Sequence, residues 1–206
     1  MGLLTRAVEV RRLGLVPYAD AWTLQNELHD ERVGGEIGDT LLLLEHPHVY
    51  TIGRRGTHED VHRRDVEVVE TDRGGQVTYH GPGQLVGYPI VDLGPAVDLV
   101  RYVRRLEDVM ISTLGRFGID AGRDEGNTGV WVAGAKIGAI GVRVTRNVTK
   151  HGFALNVSTD LGYFAGIVPC GITDKGVTSM RVLGSNATLD EVADVVADEF
   201  VRVFRS

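Results

Sequence analysis

Hydrophobic residues recur at helical spacing in three segments of the chain. The first segment follows a proline, which suits a helix start, and predicts an amphipathic helix from residue 18 to about residue 33. The second follows Asp98, a residue typical of an N-cap, and extends to about residue 117. The third follows Thr188 and Glu191, which have the spacing of a capping box. These segments predict three helices with one apolar face each.

Short apolar runs between these helices predict β-strands. The predicted strands are residues 8–16, 40–44, 49–52, 66–69, 84–92, 129–132, 136–144 and 153–157. A glycine at 134 separates two of them as a hairpin. Strands and helices are interleaved without strict alternation, which favours an α+β fold with helices packed on a mixed sheet. We expect residues 1–206 to form a single domain.

The most unusual stretch is residues 73–92, which is rich in glycine and contains two prolines. Glycine-rich backbone turns tightly or lies close to another group. Because this segment also carries Arg73 and His80 and leads into an apolar strand, it is typical of a pocket wall. The alternative is a tight hairpin between two neighbouring strands.

The composition of the chain argues against several classes of partner and location. The formal net charge of −6 argues against nucleic acid or an anionic membrane as a partner. Apolar runs are too short to span a membrane, and the N-terminus lacks a signal-peptide core. A single cysteine excludes an intramolecular disulfide and fits a reducing cytoplasm. We expect a cytoplasmic monomer without a cofactor.

Two residues could carry covalent chemistry. Cys170 lies on a turn between Pro169 and Gly171, where a side chain is held at a surface or a cleft edge. A nucleophilic thiol needs a base or a positive neighbour, and Lys136, on an otherwise small and apolar strand, could supply it. The alternatives are a cysteine that packs as a small hydrophobe and a lysine that extends to water.

Other catalytic arrangements are less well supported. His46, His48, His80 and His151 are scattered in the sequence without a carboxylate or second cysteine at zinc-site spacing, so we expect no metal. No serine lies in a nucleophile elbow. If Cys170 belonged to a hydrolase, His80 would be the residue that activates water.

Several motifs, in order along nearly the whole chain, resemble those of the octanoyltransferases, also called lipoyl(octanoyl) transferases, of lipoate biosynthesis. They are LLLLEHPHVYT at 41–51, RGGQVTYHGPGQLVGYPI at 73–90, AKIGAIGVR at 135–143, HGFALNV at 151–157, and PCGI with a following VTS at 169–179. The resemblance implies a fold like the catalytic domain of biotin and lipoate protein ligases, with a larger mixed sheet, a smaller sheet and surrounding helices.

The resemblance also implies the reaction. An octanoyl group would move from octanoyl-acyl carrier protein to a specific lysine of lipoyl domains, which belong to 2-oxoacid dehydrogenases and the glycine cleavage H protein. Cys170 would be the acyl-thioester nucleophile and Lys136 would lower its pKa. The expected acyl and substrate site comprises Arg73, Gly74, Gly75, Gln76, Val77, Thr78, Tyr79, His80, Ala139, Ile140, Gly141, Gly152, Phe153 and Ala154. We expect Gly74, Gly75, Gly138 and Gly141 to leave room for an apolar chain.

Three other functions are alternatives to octanoyl transfer. An ATP-dependent lipoate or biotin ligase on the same fold would need ATP, and the cysteine motif argues against it. A non-catalytic module that binds acyl groups or lipoyl domains would keep the pocket and would not need Cys170. A cysteine hydrolase would require a histidine beside Cys170.

Overall fold

A computed structural model describes residues 8–167 and 176–205, so Cys170 lies outside the described residues. In chain order, the strands are β1 Glu9–Leu15, β2 Thr40–Glu45, β3 Val49–Ile52, β4 Glu67–Glu70, β5 Val77–His80, β6 Gln84–Ile90, β7 Val130–Val132, β8 Ala135–Thr145 and β9 Val148–Asn156. The helices are α1 Tyr18–Gly34, α2 Leu99–Arg116 and α3 Leu189–Arg205. Within the described ranges, these elements confirm the predicted α+β class.

A six-stranded mixed sheet forms the centre of the fold, in the order β1-β2-β6-β9-β8-β7. Only β1 and β2 pair in parallel; the other neighbours are antiparallel. Leu41 and Leu43 on β2 pack towards α2 and α3, whereas Leu42 and Leu44 pack towards α1. The run of four leucines therefore reflects a strand that is covered on both faces.

A smaller sheet, in the order β4-β3-β5, lies beside the large one. Its core contains Tyr50, Tyr79 and Ile167, with Tyr163 and Phe164 packed against it from a 3-10 turn at Leu161–Gly166. The Tyr79 ring stacks on that of Tyr163 at a centroid distance of 5.0 Å.

The helix boundaries follow from local capping chemistry. The Asp98 side chain accepts a hydrogen bond from the backbone N–H of Arg101 at 2.9 Å. At α3, the Thr188 N–H donates to the Glu191 carboxylate at 2.7 Å and the Glu191 N–H donates to the Thr188 hydroxyl at 3.3 Å. Both predicted helix starts are confirmed.

The hairpin interpretation of residues 73–92 is wrong. The segment contains two strands, but β5 pairs with β3 in the small sheet while β6 pairs with β2 and β9 in the large sheet. The glycine-rich segment thus carries the chain from one sheet to the other. Gly83, with a φ of 81°, lies in the turn between the two strands.

The strand predicted at 153–157 is longer than expected and begins at Val148. Strands β8 and β9 form a hairpin whose turn residues, Arg146 and Asn147, have φ values of 50° and 65°. Two consecutive positive φ values are those of a type I′ turn, whose usual sequence is Asn-Gly or a close relative. Arg-Asn does not match that signature, so the hairpin was missed.

Candidate active site

A cavity lies where the glycine-rich segment faces strands β8 and β9. Its empty volume is about 490 Å³, including space that is open to solvent. It is lined by Tyr18, Arg73, Gly75, Gln76, Val77, Thr78, His80, Tyr88, Ala139, Ile140, Gly141, His151, Gly152, Phe153 and Ala154. The three segments that the sequence singled out therefore meet at one cavity.

A second cavity, of about 390 Å³, contains Lys136. It shares the lining residues Val77, Thr78, Ala139 and Ala154 with the first cavity, so the two cavities are neighbours. We call the two cavities together the crevice, with a lysine end at Lys136 and a tyrosine end at Tyr18.

The register of β8 and β9 lines the crevice with small residues. Ala139 lies opposite Ala154, and Gly141 opposite Gly152. A methyl group added at Gly141 would lie 3.0 Å from the carbonyl oxygen of Gly74. The small side chains therefore let the glycine-rich segment approach the large sheet closely.

Lys136 is fixed through its backbone. Its N–H donates to the carbonyl of Gly176 and its carbonyl accepts from the N–H of Thr178, both at 2.9 Å. The side chain is half-buried, and Nζ lies 4.8 Å from the centroid of the Trp131 ring. The described chain thus resumes after the Cys170 segment directly beside Lys136.

Arg73 is buried at the wall of the crevice. Its guanidinium donates to the Thr51 carbonyl at 2.6 Å, to the Thr51 hydroxyl at 2.8 Å and to the Gly74 carbonyl at 3.0 Å. These bonds tie the glycine-rich segment to β3 of the small sheet and hold a positive charge at the crevice wall.

The histidines that look scattered in the sequence are not scattered in the structure. His46, His80 and His151 surround the tyrosine end of the crevice with Tyr18 and Tyr88. The rings of His46 and His80 are 5.6 Å apart. Sequence reasoning missed the cluster because its members come from parts of the chain that are far apart in sequence: Tyr18 from α1, His46 from the turn after β2, His80 from β5, Tyr88 from β6 and His151 from β9.

Buried His151 has an unusual backbone. Its φ of 56° lies in the left-handed region, within strand β9. Its N–H donates to the Gln25 side chain at 2.8 Å, its Nε2 lies 2.7 Å from Asp72 Oδ1, and its Nδ1 lies 3.4 Å from the Tyr18 hydroxyl. Such strain persists only where surrounding contacts hold it, and it concentrates at functional sites.

Burial and hydrogen bonding set the protonation states of the cluster. Burial lowers the pKa of His46 to about 4 and that of His80 to about 3, and it also lowers the pKa of His151. The hydrogen bond from His151 holds the pKa of Asp72 well below its usual range. At neutral pH the three histidines are therefore neutral and Asp72 is ionised.

Not every expected site residue faces the crevice. The Tyr79 side chain points into the small sheet's core, where its hydroxyl lies 2.7 Å from His48 Nδ1. The expectation that Gly138 makes room for an acyl chain is wrong: a methyl group there would lie 2.7 Å from Met110 Sδ, on the α2 side. Gly74 contributes its carbonyl to the contacts of Arg73 and is not among the lining residues.

Sequence reasoning missed Tyr18 and Tyr88. Both lie in segments whose apolar pattern predicts core residues: Tyr18 is the first residue of α1, and Tyr88 lies in an apolar strand. Both are buried, yet each hydroxyl contacts a histidine of the cluster. A buried tyrosine needs a partner for its hydroxyl, which was the available signal.

Across residues 8–167 and 176–205, no group of three or more His, Cys, Asp or Glu is placed to hold a metal ion. In the same part of the chain, no helix combines the length and the apolar character needed to cross a membrane.

Comparison with known proteins decides the family. Residues 17–201 match the model of the lipoyl protein ligase A/B catalytic domain. An octanoyltransferase from Mycobacterium sp. (strain KMS) is 56% identical over 200 residues, which cover 94% of this chain and 84% of that protein. This chain belongs to the octanoyltransferases of the lipoyl protein ligase A/B family. It is thus an acyltransferase that acts in octanoyl transfer for lipoylation.

Solved structures support the fold. A lipoate protein ligase from Thermoplasma acidophilum superimposes with a TM-score of 0.76 at 18% identity, covering 97% of this chain and 84% of that chain. A biotin protein ligase from Aquifex aeolicus, in complex with biotin and ATP, gives a TM-score of 0.61 at 14% identity, covering 96% of this chain and 70% of that chain. The expected likeness to ligase catalytic domains is confirmed for the fold.

Proposed function

We propose that this chain transfers an octanoyl group from octanoyl-acyl carrier protein to a lysine of a lipoyl domain, through an acyl-thioester on Cys170. The observation that carries the proposal is the crevice that extends from Lys136 to Tyr18. Its middle is lined by small and apolar residues, as an acyl chain requires, and at its lysine end Lys136 is hydrogen-bonded to Gly176, the first described residue after Cys170 in the sequence.

In the first half-reaction, the Cys170 thiolate attacks the donor's thioester carbon. A new carbon–sulfur bond forms on Cys170 and the donor's carbon–sulfur bond breaks. The departing thiolate takes a proton from the Lys136 ammonium and leaves as the donor's thiol, so that Lys136 is neutral after this step. Exchange of one thioester for another is close to thermoneutral, so ATP is not needed. The Lys136 ammonium stabilises the Cys170 thiolate by charge attraction.

In the second half-reaction, the acceptor amine attacks the Cys170 thioester and forms an amide, and Cys170 leaves as the thiolate. The amine must lose a proton to become a nucleophile, because its ordinary pKa is about 10.4. In this proposal Lys136, which the first half-reaction leaves neutral, accepts that proton and becomes the ammonium beside the departing Cys170 thiolate. The acceptors in this proposal are the lipoyl domains of 2-oxoacid dehydrogenases and the glycine cleavage H protein.

The site residues take defined roles in this proposal. Arg73, Gly75, Gln76, Val77, Thr78 and His80 form one wall of the acyl site, and Ala139, Ile140, Gly141, Gly152, Phe153 and Ala154 form the other. Gly74 and Tyr79 support that wall from behind. The reaction uses residues of one chain acting as one catalytic domain in the cytoplasm.

The test is the intact mass of the protein after mixing with octanoyl-acyl carrier protein, without ATP or metal. Wild type should gain one octanoyl group that hydroxylamine removes, and Cys170→Ser should gain none. Addition of a lipoyl domain should then move the group to its lysine. A wild-type protein that gains no mass from an active donor would contradict the thioester intermediate, and activity that depends on ATP would favour a ligase.

A further inference from the structure

The tryptophan of strand β7 lies beside Lys136 at the lysine end of the crevice. Nζ of Lys136 lies over the Trp131 ring, 4.8 Å from its centroid. Trp131 is buried, with 5% of its surface exposed. An ammonium within about 6 Å of a ring face is attracted by the π electrons, and the attraction is stronger where water is excluded. The contact therefore stabilises the charged form of Lys136.

The pairing of β7 with β8 brings these two side chains together. Trp131 lies opposite Lys136. The next pair is Val130 with Gly138, so β8 has one extra residue, Ile137, between the two pairs. Ile137 packs in the core on the α2 side, and Gly138 also faces α2. Two successive residues face the same side because a β-bulge interrupts the alternation, and the bulge turns Lys136 to the opposite face.

Strand β7 turns the Trp131 ring to that same face. Val130 and Val132 both pack against the core on the α2 side, so the side chain between them projects away from α2. The backbone of Trp131 is fixed by two hydrogen bonds to Gly122. The Trp131 N–H donates to the Gly122 carbonyl at 2.8 Å, and the Trp131 carbonyl accepts from the Gly122 N–H at 2.9 Å. The ring is thus held by contacts that do not involve Lys136.

The lysine side chain has a defined route to the ring. A methyl group added at Gly129 would lie 3.5 Å from Cε of Lys136, so the lysine stem runs beside the Gly129 backbone. Gly129 precedes strand β7, which carries Trp131. The same short segment therefore guides the stem of Lys136 and presents the ring to its ammonium.

We propose that Trp131 is a positioning residue for octanoyl transfer: the face of its ring holds the Lys136 ammonium at the lysine end of the crevice. This inference rests on the proposed function, because it concerns how Lys136 acts on Cys170. In the first half-reaction, the ring stabilises the ammonium that accompanies the Cys170 thiolate. In the second, it stabilises the ammonium that forms when Lys136 takes the proton of the acceptor amine. Loss of the attraction should therefore slow both steps.

Fluorinated tryptophans test this inference with little change in the shape of the side chain. Fluorine withdraws electrons from the ring and so weakens its attraction for a cation, while it is only slightly larger than hydrogen. The chain has two tryptophans, Trp22 and Trp131, so Trp22→Phe leaves a single position for the analogues. Proteins with up to four fluorine atoms on the Trp131 ring are compared within this background, which cancels any effect of Trp22→Phe itself.

Two rates are measured at neutral pH. The first is acylation by octanoyl-acyl carrier protein, followed by intact mass. The second is alkylation of Cys170, the only cysteine, by iodoacetamide, which needs no acyl donor and depends on the thiolate. Both rates should fall with each added fluorine, to about a tenth at four. In a matched Lys136→Met series there is no ammonium to hold, so fluorination should leave the alkylation rate unchanged.

A second pair of variants needs no analogue. Trp131→Phe keeps an aromatic face whose attraction is weaker than that of indole, and Trp131→Leu removes the face. Both rates should decrease in the order wild type, Trp131→Phe, Trp131→Leu. Equal rates in the two variants would contradict a role for the ring face. Thermal unfolding establishes that each variant is folded.

The outcomes separate this inference from the proposed function. If the protein accepts the octanoyl group and fluorination changes neither rate, only the inference fails. It also fails if fluorination slows alkylation equally in the Lys136→Met series, because the ring would then act through packing alone. If no octanoyl group is accepted but fluorination slows alkylation only where Lys136 is present, Trp131 still positions Lys136 and the proposed function fails.

Discussion

Asp72 Oδ1 lies 2.7 Å from His151 Nε2, and this contact joins the start of the glycine-rich segment to the strained strand β9. The His151 side chain is 1% exposed and the Asp72 side chain 38% exposed. The carboxylate thus lies at the surface while its partner is buried. The pair orients the His151 ring, and its Nδ1 then lies 3.4 Å from the Tyr18 hydroxyl.

Replacement of Asp72 by alanine is expected to destabilise the fold by about 1–2 kcal/mol, because the buried His151 N–H loses its acceptor. This loss of stability is small for a buried polar group, because water can enter the space that Asp72 leaves and replace it as the acceptor. Urea denaturation measures the free energy of unfolding.

The matched control is Asp65→Ala. Asp65 also pairs with a basic residue, Arg63, at 2.8 Å, but both side chains are exposed, so its loss should leave the free energy of unfolding close to that of wild type. Equal effects of the two variants would show that the Asp72 contact is an ordinary surface pair.

Acid should weaken the fold in a defined range. His46 and His80 have pKa values of about 4 and about 3 in the folded protein, against about 6.5 when unfolded. Below pH 6.5 the unfolded chain binds protons that the folded chain does not, so stability falls as pH falls. Each histidine contributes up to about 1.4 kcal/mol per pH unit down to its folded pKa. Unfolding free energies between pH 7.5 and 4.5 measure this slope.

The variant His46→Gln tests the assignment. Glutamine can donate to the Val16 carbonyl and accept from Tyr88, as His46 does, but it does not titrate. Its stability should therefore depend less steeply on pH. An unchanged slope in His46→Gln would mean that other groups cause the acid sensitivity.

The sequence was sufficient for the features that depend on neighbours along the chain. The caps at Asp98 and Thr188 and the apolar periods behind them predicted the helices because capping and amphipathicity are local. The division of residues 73–92 between two sheets was missed, because strand pairing is decided by distant residues. The same cause hid the histidine cluster, whose members meet only in the folded chain.

As with the fold, part of the candidate site could be predicted from the sequence and part could not. The segments that line the crevice were found because glycine density and isolated charges are visible in the sequence. Tyr18 and Tyr88 were not found, since a tyrosine within an apolar pattern looks the same whether or not its hydroxyl has a function. Gly138 was wrongly assigned to the acyl site, because the sequence does not show which face of the sheet a glycine in a strand lies on.

Two glycines should respond oppositely to the same substitution. A methyl group at Gly152 would overlap with the backbone carbonyl oxygen of Gly87, so the sheet would have to shift. Gly152→Ala is expected to cost about 3 kcal/mol or more. Gly115→Ala on helix α2 meets nothing within 4 Å and should stabilise the protein by up to about 1 kcal/mol.

Denaturant unfolding of the two glycine variants beside wild type measures both effects. If Gly152→Ala is as stable as wild type, the close approach of β9 to β6 at Gly87 is wrong. A destabilised Gly115→Ala would instead contradict the open surroundings of that helix position.

Lys136→Met should slow both half-reactions, because the proposal gives Lys136 a role in each. Loss of the ammonium leaves the Cys170 thiol mostly protonated, since its ordinary pKa is about 8.5, and should slow acylation at pH 7 at least tenfold. Loss of the proton acceptor should slow transfer to the lipoyl domain by about 10²-fold or more. Methionine is unbranched and only one atom shorter than lysine, so it should fill most of the same space without a charge.

The two steps are separated by starting from preformed acyl-enzyme. Octanoyl-Cys170 protein, prepared with an excess of donor over a long incubation and then purified, is mixed with a lipoyl domain and followed by intact mass. Slow transfer in Lys136→Met supports proton acceptance by Lys136. Normal transfer alongside slow acylation would restrict Lys136 to the activation of Cys170, because the second step would then need another base.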